Sequence, residues 1–279
     1  VLLNGTYRTS EYDVFTIYEP KERQIYRLPY YPDRIVHHAV MNILEPIWCS
    51  VFTSDTYSCI KGRGIHAAAR NVRKALRQDI SGTKYCLKLD IRKFYPSIKH
   101  DILKGVIRRK RKDGRLLALL DEIIDSADGL PIGNYLSQYF ANLYLAYFDH
   151  WIKEAKGVKN YFRYADDMVI LGDDKSNLHH LFNEIASYMS TLGLDVKSNW
   201  QVFPVDSRGI DFVGYVFFHS HTMMRKSIKQ TLCRRVSRMN KKESSFTEME
   251  FMRSISPWWG WAKHCDSKNL INKLSKLSK

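Results

Sequence analysis

The sequence predicts an α+β fold in which an antiparallel sheet carries helices against one face. Three observations support that expectation. Residues 85–90 alternate apolar and polar side chains as a half-buried strand does, and 161–171 hold two apolar, β-prone runs around Ala165-Asp166-Asp167. Apolar residues recur at three- and four-residue spacing over 136–151 and 178–192, the mark of helices with a buried stripe. The resulting order is strand, helix, hairpin, helix, strand, which a split β-α-β sheet of the ferredoxin-like kind accommodates.

Residues 1–34 hold Tyr7, Tyr12, Tyr18, Tyr26, Tyr30 and Tyr31 with Pro20, Pro29 and Pro32, a composition of short strands and turns. Rings interleaved with Arg and Lys either fill core or stack on bases. Val36, Val40, Ile43, Leu44 and Ile47 predict a helix over 34–48, with His37 and His38 off its buried face as surface or capping groups. Ser58-Cys59-Ile60-Lys61-Gly62-Arg63-Gly64-Ile65-His66 then leads into a helix over 65–79. Glycines on both sides of Arg63 let the backbone come close to a ligand, and Lys61 and Arg63 are candidates to reach a triphosphate at a helix N-terminus.

The strand over 85–90 places Cys86, Lys88 and Asp90 on the face opposite Tyr85, Leu87 and Leu89. Phe94 and Tyr95 follow; a ring there either fills core or takes the space of a sugar 2′-hydroxyl. The basic run 108–115 lies between predicted helices, as a solvated face or a phosphate contact. Residues 129–138 form a Gly-containing turn opening the long helix, with Ser137 and Gln138 on its first turn to cap it or touch a template. Gly193 closes the next helix, and Lys197 just beyond it is a candidate proton donor. Residues 210–217 read as one more hairpin. Eight Lys or Arg within 222–242 (Lys242 the last) predict a basic helical lobe that grips a duplex backbone, and Pro257-Trp258-Trp259-Gly260-Trp261 punctuates the final helices.

Composition narrows the partners. The 279 residues hold 44 Lys+Arg against 29 Asp+Glu, a net charge of +15 that suits a polyanion such as nucleic acid. No run of 18 apolar residues and no signal-peptide pattern occurs, so no membrane partner is expected. The start at Val1 reads as trimmed and leaves a removed targeting segment open. Five scattered cysteines without a C-x-x-C pair fit reduced thiols in a cytoplasmic setting. His264-Cys265 lacks further ligands at zinc spacing.

The chemistry centres on Asp166 and Asp167. Adjacent carboxylates repel, and a divalent cation with hard oxygen ligands removes that cost. Asp90, at a strand end beside the hairpin, supplies a third carboxylate. Three such groups can seat two metals about 3.5–4 Å apart, able to activate a 3′-hydroxyl and stabilise a leaving pyrophosphate.

On these residues the chain resembles a reverse transcriptase over nearly its whole length. Tyr164-Ala165-Asp166-Asp167 matches the family's Y-x-D-D box, and Asp90 with Phe94-Tyr95 its upstream catalytic motif. Lys61 and Arg63 match the fingers motif, Lys197 the following palm motif, and Phe212-Val213-Gly214-Tyr215 the primer grip. The resemblance implies a right-hand polymerase with fingers (1–80), a ferredoxin-like palm (81–98), a helical insertion (99–128), palm with primer grip (129–219) and a helical thumb (220–279). It implies two Mg²⁺ ions, with Mn²⁺ as a substitute, held by Asp90, Ile91, Asp166 and Asp167. Lys61, Arg63, Phe94, Tyr95, Ile132, Gly133 and Lys197 would bind nucleotide, Tyr95 discriminating the sugar. Ser137, Gln138, Phe212, Val213, Gly214 and Tyr215 would contact template and primer.

Where many such enzymes read P-Q-G-x-x-x-S-P, this chain reads Pro131-Ile132-Gly133-Asn134-Tyr135-Leu136-Ser137-Gln138. That form, with the tail Gly260-Trp261-Ala262-Lys263-His264-Cys265-Asp266-Ser267, resembles the enzymes of diversity-generating retroelements of bacteria and phages. The resemblance implies template RNA, a cDNA primer, dNTPs and a small basic accessory protein of the variability-determinant type, an oligomeric helical bundle. It also implies errors at template adenines, since an apolar Ile132 cannot hydrogen-bond the incoming nucleotide. Two further possibilities stand beside it. One is a group II intron-like or phage-defence reverse transcriptase, the intron version weakened because no maturase or endonuclease segment follows residue 279. The other is a non-catalytic RNA-binding scaffold, against which the three aspartates argue.

Overall fold

The structure, a computed structural model, describes residues 2, 4–18, 22–241 and 248–276. Pro20 and Lys242 lie outside them. Strands β1 (Asp13–Ile17) and β2 (Arg23–Arg27) pair as an antiparallel hairpin, followed by α1 (Ile35–Cys49), α2 (Ile65–Gln78) and β3 (Tyr85–Asp90). The short α3 (Phe94–Ser97), α4 (His100–Lys110), α5 (Gly114–Ile124) and α6 (Tyr135–His150) lead to the hairpin of β4 (Asn160–Tyr164) and β5 (Asp167–Gly172). Then come α7 (Lys175–Thr191), β6 (Gln201–Pro204), the short α8 (Val205–Arg208), β7 (Ile210–Phe212), β8 (Tyr215–Phe217) and β9 (Thr222–Met224). Helices α9 (Lys226–Lys241), α10 (Glu248–Ala262) and α11 (Lys268–Lys276) complete the described chain.

The central sheet has the order β4-β5-β3-β6, every pair antiparallel. Numbering its strands by sequence gives 2-3-1-4, the split β-α-β arrangement that the element order predicts. Its packing differs from expectation, because helices cover both faces. Leu87, Leu89, Tyr161, Met168 and Ile170 join a core with α4, α6 and α7, through residues such as Leu103, Phe140, Leu143, Leu178 and Ile185. On the other face Cys86, Phe162, Val169 and Leu171 meet Ala68, Ala69, Val72 and Leu76 of α2, together with Phe212, Tyr215 and Phe217. A strand shows alternate residues to opposite faces, and here the second face is also apolar until it reaches Lys88 and Asp90. The small side chains of Ala68 and Ala69 let α2 lie close to the sheet. Truncating fully buried Leu76 would cost about 2–5 kcal/mol.

Four other expectations change. On α1 the buried stripe is Val36, His37, Val40, Met41, Leu44 and Trp48, so His37 is core and Ile43 is exposed. The exchange follows from a helical face rotated by about one residue, with Asp33, itself held by Tyr7 and Ser10, and Asn134 supplying polar surroundings for the imidazole. The basic run 108–115 is not an interhelix loop throughout: Arg108, Arg109 and Lys110 form the last turn of α4, with Arg108 paired to Asp121 of α5. Pro257 and Gly260 lie inside α10 and do not end it. The hairpin over 210–217 gains a third strand, β9, paired to β8.

Candidate active site

Two residues, Ala165 and Asp166, connect β4 to β5, because Tyr164 and Asp167 are already paired. Ala165 takes φ +55°, a left-handed conformation that costs a non-glycine residue about 1–2 kcal/mol. Below the turn, Arg163 and Asp149 are both fully buried and paired in a bidentate arrangement, Nε to Oδ1 at 2.8 Å and Nη2 to Oδ2 at 2.5 Å. Arg163 Nη1 also donates to the Ala165 carbonyl at 3.0 Å and to Asn142 Oδ1 at 3.2 Å. Tyr161 and Thr56 donate their hydroxyls to the Asp149 carboxylate. Each side-chain nitrogen and oxygen of this ion pair thereby has a partner, which is the condition for burying it.

The turn sets Asp166 and Asp167 beside β3. Asp90 is the register partner of Asp167, and the Ile91 amide donates to the Asp166 carbonyl at 3.3 Å. Lys197 is tied to the same strand, its amide donating to the Asp90 carbonyl at 2.8 Å and its ammonium ion-paired with the Asp90 carboxylate. Lys88, two residues before Asp90 on the same face, ion-pairs with Asp167. Its ammonium also lies over the Phe212 ring, 5.4 Å from the centroid. Burial and then the Asp90 charge push Asp166 up to about 6, and burial raises Asp167 against the pull of Lys88. The buried Asp90 Oδ1 has no aligned hydrogen bond.

These features fit a divalent metal. The donors are hard carboxylate oxygens, burial makes their negative charge expensive, and two lysine ammonium groups stand where a cation's charge is needed. Among the described residues no three ligating side chains form a preformed cage. Magnesium sites of this sort draw further oxygens from substrate phosphates and water.

Other expected residues gather around the carboxylates to different degrees. Tyr95 is half-buried; its hydroxyl is raised by burial, then by Cys59 and Asp166 nearby. The adjoining loop clamps its backbone. The Leu130 amide donates to the Tyr95 carbonyl at 2.9 Å, and a Cβ on Gly129 (φ +61°) would stand 2.7 Å from that oxygen. Phe94, by contrast, is 3% exposed and belongs to the core, so the nucleotide contact expected of it is not open to its ring. Lys61 is exposed, while Arg63 Nη1 donates to the Thr53 carbonyl at 2.7 Å. The segment ahead of them is pinned to the hairpin and to α6: the Tyr57 amide donates to the Arg163 carbonyl, and Asn142 Nδ2 donates to the Ser58 carbonyl.

Ile132 and Gly133 are held by β2. The Tyr26 amide donates to the Ile132 carbonyl at 2.8 Å, and a Cβ on Gly133 (φ +113°) would meet the Tyr26 carbonyl at 2.8 Å. The close approach that this glycine permits is to the chain's own strand. Ser137 is buried and sits three residues past the N-cap Asn134, so it neither caps α6 nor presents its hydroxyl outward; Gln138 is exposed. Phe212 and Tyr215 are fully buried and Val213 nearly so, which corrects the expectation of primer-contacting side chains. Val213 (φ +43°) and Gly214 (φ +86°) make the turn, and a Cβ on Gly214 would overlap the Trp261 ring at 2.3 Å.

Lys88, Asn142, Asp149 and Arg163 had no assigned role from sequence. Period-two alternation already places Lys88 on the face of Asp90. Asn142 and Asp149 are polar positions on a helix otherwise buried nearly all round, where an unpaired polar group would be costly.

The family model for reverse transcriptase (RNA-dependent DNA polymerase) matches residues 19–217, and the chain belongs to that family. It is similar to Protein YkfC of Escherichia coli K12, 28% identical over 204 residues that cover 67% of this chain and 49% of that protein. The Retron Ec73 reverse transcriptase of Escherichia coli is 26% identical over 228 residues, 75% of this chain and 69% of that one. The group II intron-encoded protein LtrA of Lactococcus lactis subsp. cremoris is 26% identical over 140 residues, 46% of this chain and 23% of that protein. The chain thus spans about half the length of YkfC and a quarter of LtrA. In fold it matches the solved structure of telomerase from Candida tropicalis with a fragment of telomeric RNA, at a TM-score of 0.62 and 12% identity over 91% of this chain and 55% of that one.

Proposed function

We propose that this chain is an RNA-directed DNA polymerase that makes cDNA by two-metal nucleotidyl transfer. The observation that carries it is the register of Asp90 against Asp167 with Asp166 in the turn between. Two Mg²⁺ ions, or Mn²⁺ in their place, would supply activation of the primer 3′-hydroxyl and charge neutralisation on the departing pyrophosphate. Asp90, Asp166 and Asp167 would hold them, with the main chain of Ile91 alongside. Lys197 would lie within reach of the leaving group once it parts from Asp90, and Tyr95 would line the sugar position. Lys61 and Arg63 would take the triphosphate, and the Val213-Gly214 turn would meet the primer through its backbone.

On this reading residues 1–80 act as fingers, 81–98 and 129–219 as palm, 99–128 as a helical insertion and 220–279 as thumb. Because β9 pairs with β8, we place the start of the thumb after Met224. The partners are template RNA, a cDNA primer and dNTPs. No described helix is long and apolar enough to cross a membrane, and we assign the chain to the cytoplasm.

The finer proposal is copying that is error-prone at template adenines, for retroelement-driven sequence diversification with a small basic accessory protein. Ile132 at the nucleotide-selecting turn supports it. The second reading is a group II intron-like or phage-defence reverse transcriptase; similarity to the group II intron-encoded protein LtrA over 46% of the chain supports the intron-like form, and similarity to Retron Ec73 reverse transcriptase over 75% a retron-like one. Primer extension on a defined RNA containing every base tests both levels. Mg²⁺-dependent templated cDNA supports the polymerase, and misincorporation concentrated at adenines supports diversification. A scaffold would yield no extension, and a retron-like or intron-like enzyme an even error spectrum.

A further inference from the structure

Helix α2 carries a run of cations that no carboxylate among the described residues pairs with. Its 14 residues include Arg70, Arg73, Lys74 and Arg77 and no acid. Arg70, Lys74 and Arg77 are exposed, and among the described residues none of them has a carboxylate partner. On α4, by contrast, Lys104 pairs with Asp125 and Arg108 with Asp121. Asp79, the first acid beyond α2, is taken up by Lys159 at 3.6 Å and by the Gly82 amide at 2.9 Å.

The geometry makes this a track. Ala68, Ala69, Val72 and Leu76 face the sheet, so spacing of three and four turns Arg70, Lys74 and Arg77 away from it. At 1.5 Å per residue the three span about 10 Å, lining an open furrow of about 390 Å³ with Asn71 and Arg73. The helix begins beside the Lys61–Arg63 turn and ends near Asp79 and Lys159, at the end of β4 opposite Tyr164 and the carboxylates. At its first turn α2 meets the end of α10. The His66 and His264 rings stack at 4.2 Å, Arg73 Nη1 donates to the His264 carbonyl at 3.3 Å, and Lys263 is exposed next to them. Burial, and then the charges of Arg70, Arg73 and Lys263, hold the His264 imidazole down, as expected where positive potential accumulates.

We infer that the outer face of α2, with Lys263 just past the end of α10, is a second RNA-binding surface that takes the phosphate backbone of a folded, double-stranded RNA segment outside the catalytic cleft. Three arginines and a lysine along one helix suit phosphate oxygens better than an acidic protein, because guanidinium forks match them bidentately. This surface rests on the reading that the chain works on RNA, but its test reads binding and does not depend on catalysis.

The experiment measures affinity for a blunt, fully paired RNA hairpin across a salt series, for wild type and for Arg70→Gln/Lys74→Gln/Arg77→Gln. These side chains are exposed, and an unchanged circular dichroism melt verifies folding. We expect affinity to fall about tenfold near physiological salt, and the slope of log K against log salt to shrink by about 2–3, one phosphate contact per cation. Extension of a short primer–template should stay within about twofold, a change too small to mark a lost contact. Lys175→Gln, on α7 across the sheet, should leave the slope alone. Unchanged hairpin affinity would overturn the inference. So would an equal effect of Lys175→Gln, which would point to net charge, or loss of short-substrate extension in the triple variant, which would place the track in the cleft. If wild type binds the hairpin yet extends no primer, the polymerase assignment fails while this surface stands.

Discussion

Arg163 Nη1 reaches the carbonyl of Ala165 at 3.0 Å, so a fully buried guanidinium holds the left-handed residue that precedes Asp166. The same guanidinium is locked by Asp149 on α6 and touches Asn142, whose amide holds the Ser58 carbonyl. One ionic hub thereby links the carboxylate turn to the segment that leads into Lys61 and Arg63.

Breaking the hub from one side should cost more than replacing it. Asp149→Asn leaves Arg163 buried without its counter-charge and is expected to lower unfolding free energy by about 3–5 kcal/mol in urea titration. Arg163→Met/Asp149→Leu should regain much of that stability yet stay deficient in primer extension, because nothing then holds the Ala165 carbonyl. Wild-type activity in the double variant would show that the hub serves stability alone.

Lys88 competes with cations for Asp167. Lys88→Met should tighten Mn²⁺ binding, read by electron paramagnetic resonance, by up to about fivefold, since a part-exposed pair is worth at most about 1 kcal/mol. The same variant should extend primers more slowly, through a less well oriented Asp167. Weaker Mn²⁺ binding would mean that Lys88 orders the site more than it opposes the metal.

Burial pushes the His37 imidazole down to about 4, against the pull of Asp33, while an unfolded chain keeps it near 6.5. The unfolded state therefore binds the proton first. Stability is complete above about pH 6.5 and is lost as pH falls toward 4, by at most about 3 kcal/mol from this residue. His37→Phe should flatten that part of the stability–pH curve in urea titrations at pH 7, 6 and 5. Parallel curves for the two proteins would contradict it.

Tyr95 tests sugar selection. Tyr95→Ala removes the half-buried ring beside Asp166, and ribonucleotide incorporation relative to deoxynucleotide should rise about tenfold or more, the scale of one lost steric contact. An unchanged ratio would leave the ring a packing role.

Ile132→Gln adds a hydrogen-bonding group at the turn held by Tyr26. Misincorporation opposite template adenine should fall, and sequencing of the cDNA reads it. An unaltered error spectrum would remove Ile132 from the account of fidelity.

Much of this arrangement is written locally. Alternation over 85–90 places Asp90 on its face, and β-prone runs on both sides of Ala165-Asp166-Asp167 make the hairpin whose register brings the carboxylates together. What escapes is whatever depends on a partner distant in the chain. Nothing near Cys86 or Val169 says that α2 will cover them, so both faces being apolar reads as one. His37 looks like a surface group until Asp33, off its helix, and Asn134, distant in the chain, are found beside it. Phe212 and Tyr215 pair across the hairpin, but which side meets core is decided by Trp261 and α2, far off in sequence. Lys197 resembles any surface lysine until its backbone is found bonded to Asp90.

The most direct test is primer extension on a defined RNA template with Mg²⁺ by wild type, Asp90→Asn, Asp166→Asn and Asp167→Asn, each verified as folded. We expect templated DNA synthesis by wild type and none detectable from any variant. Synthesis that survives in Asp90→Asn would contradict a shared metal site of β3 and the β4–β5 turn.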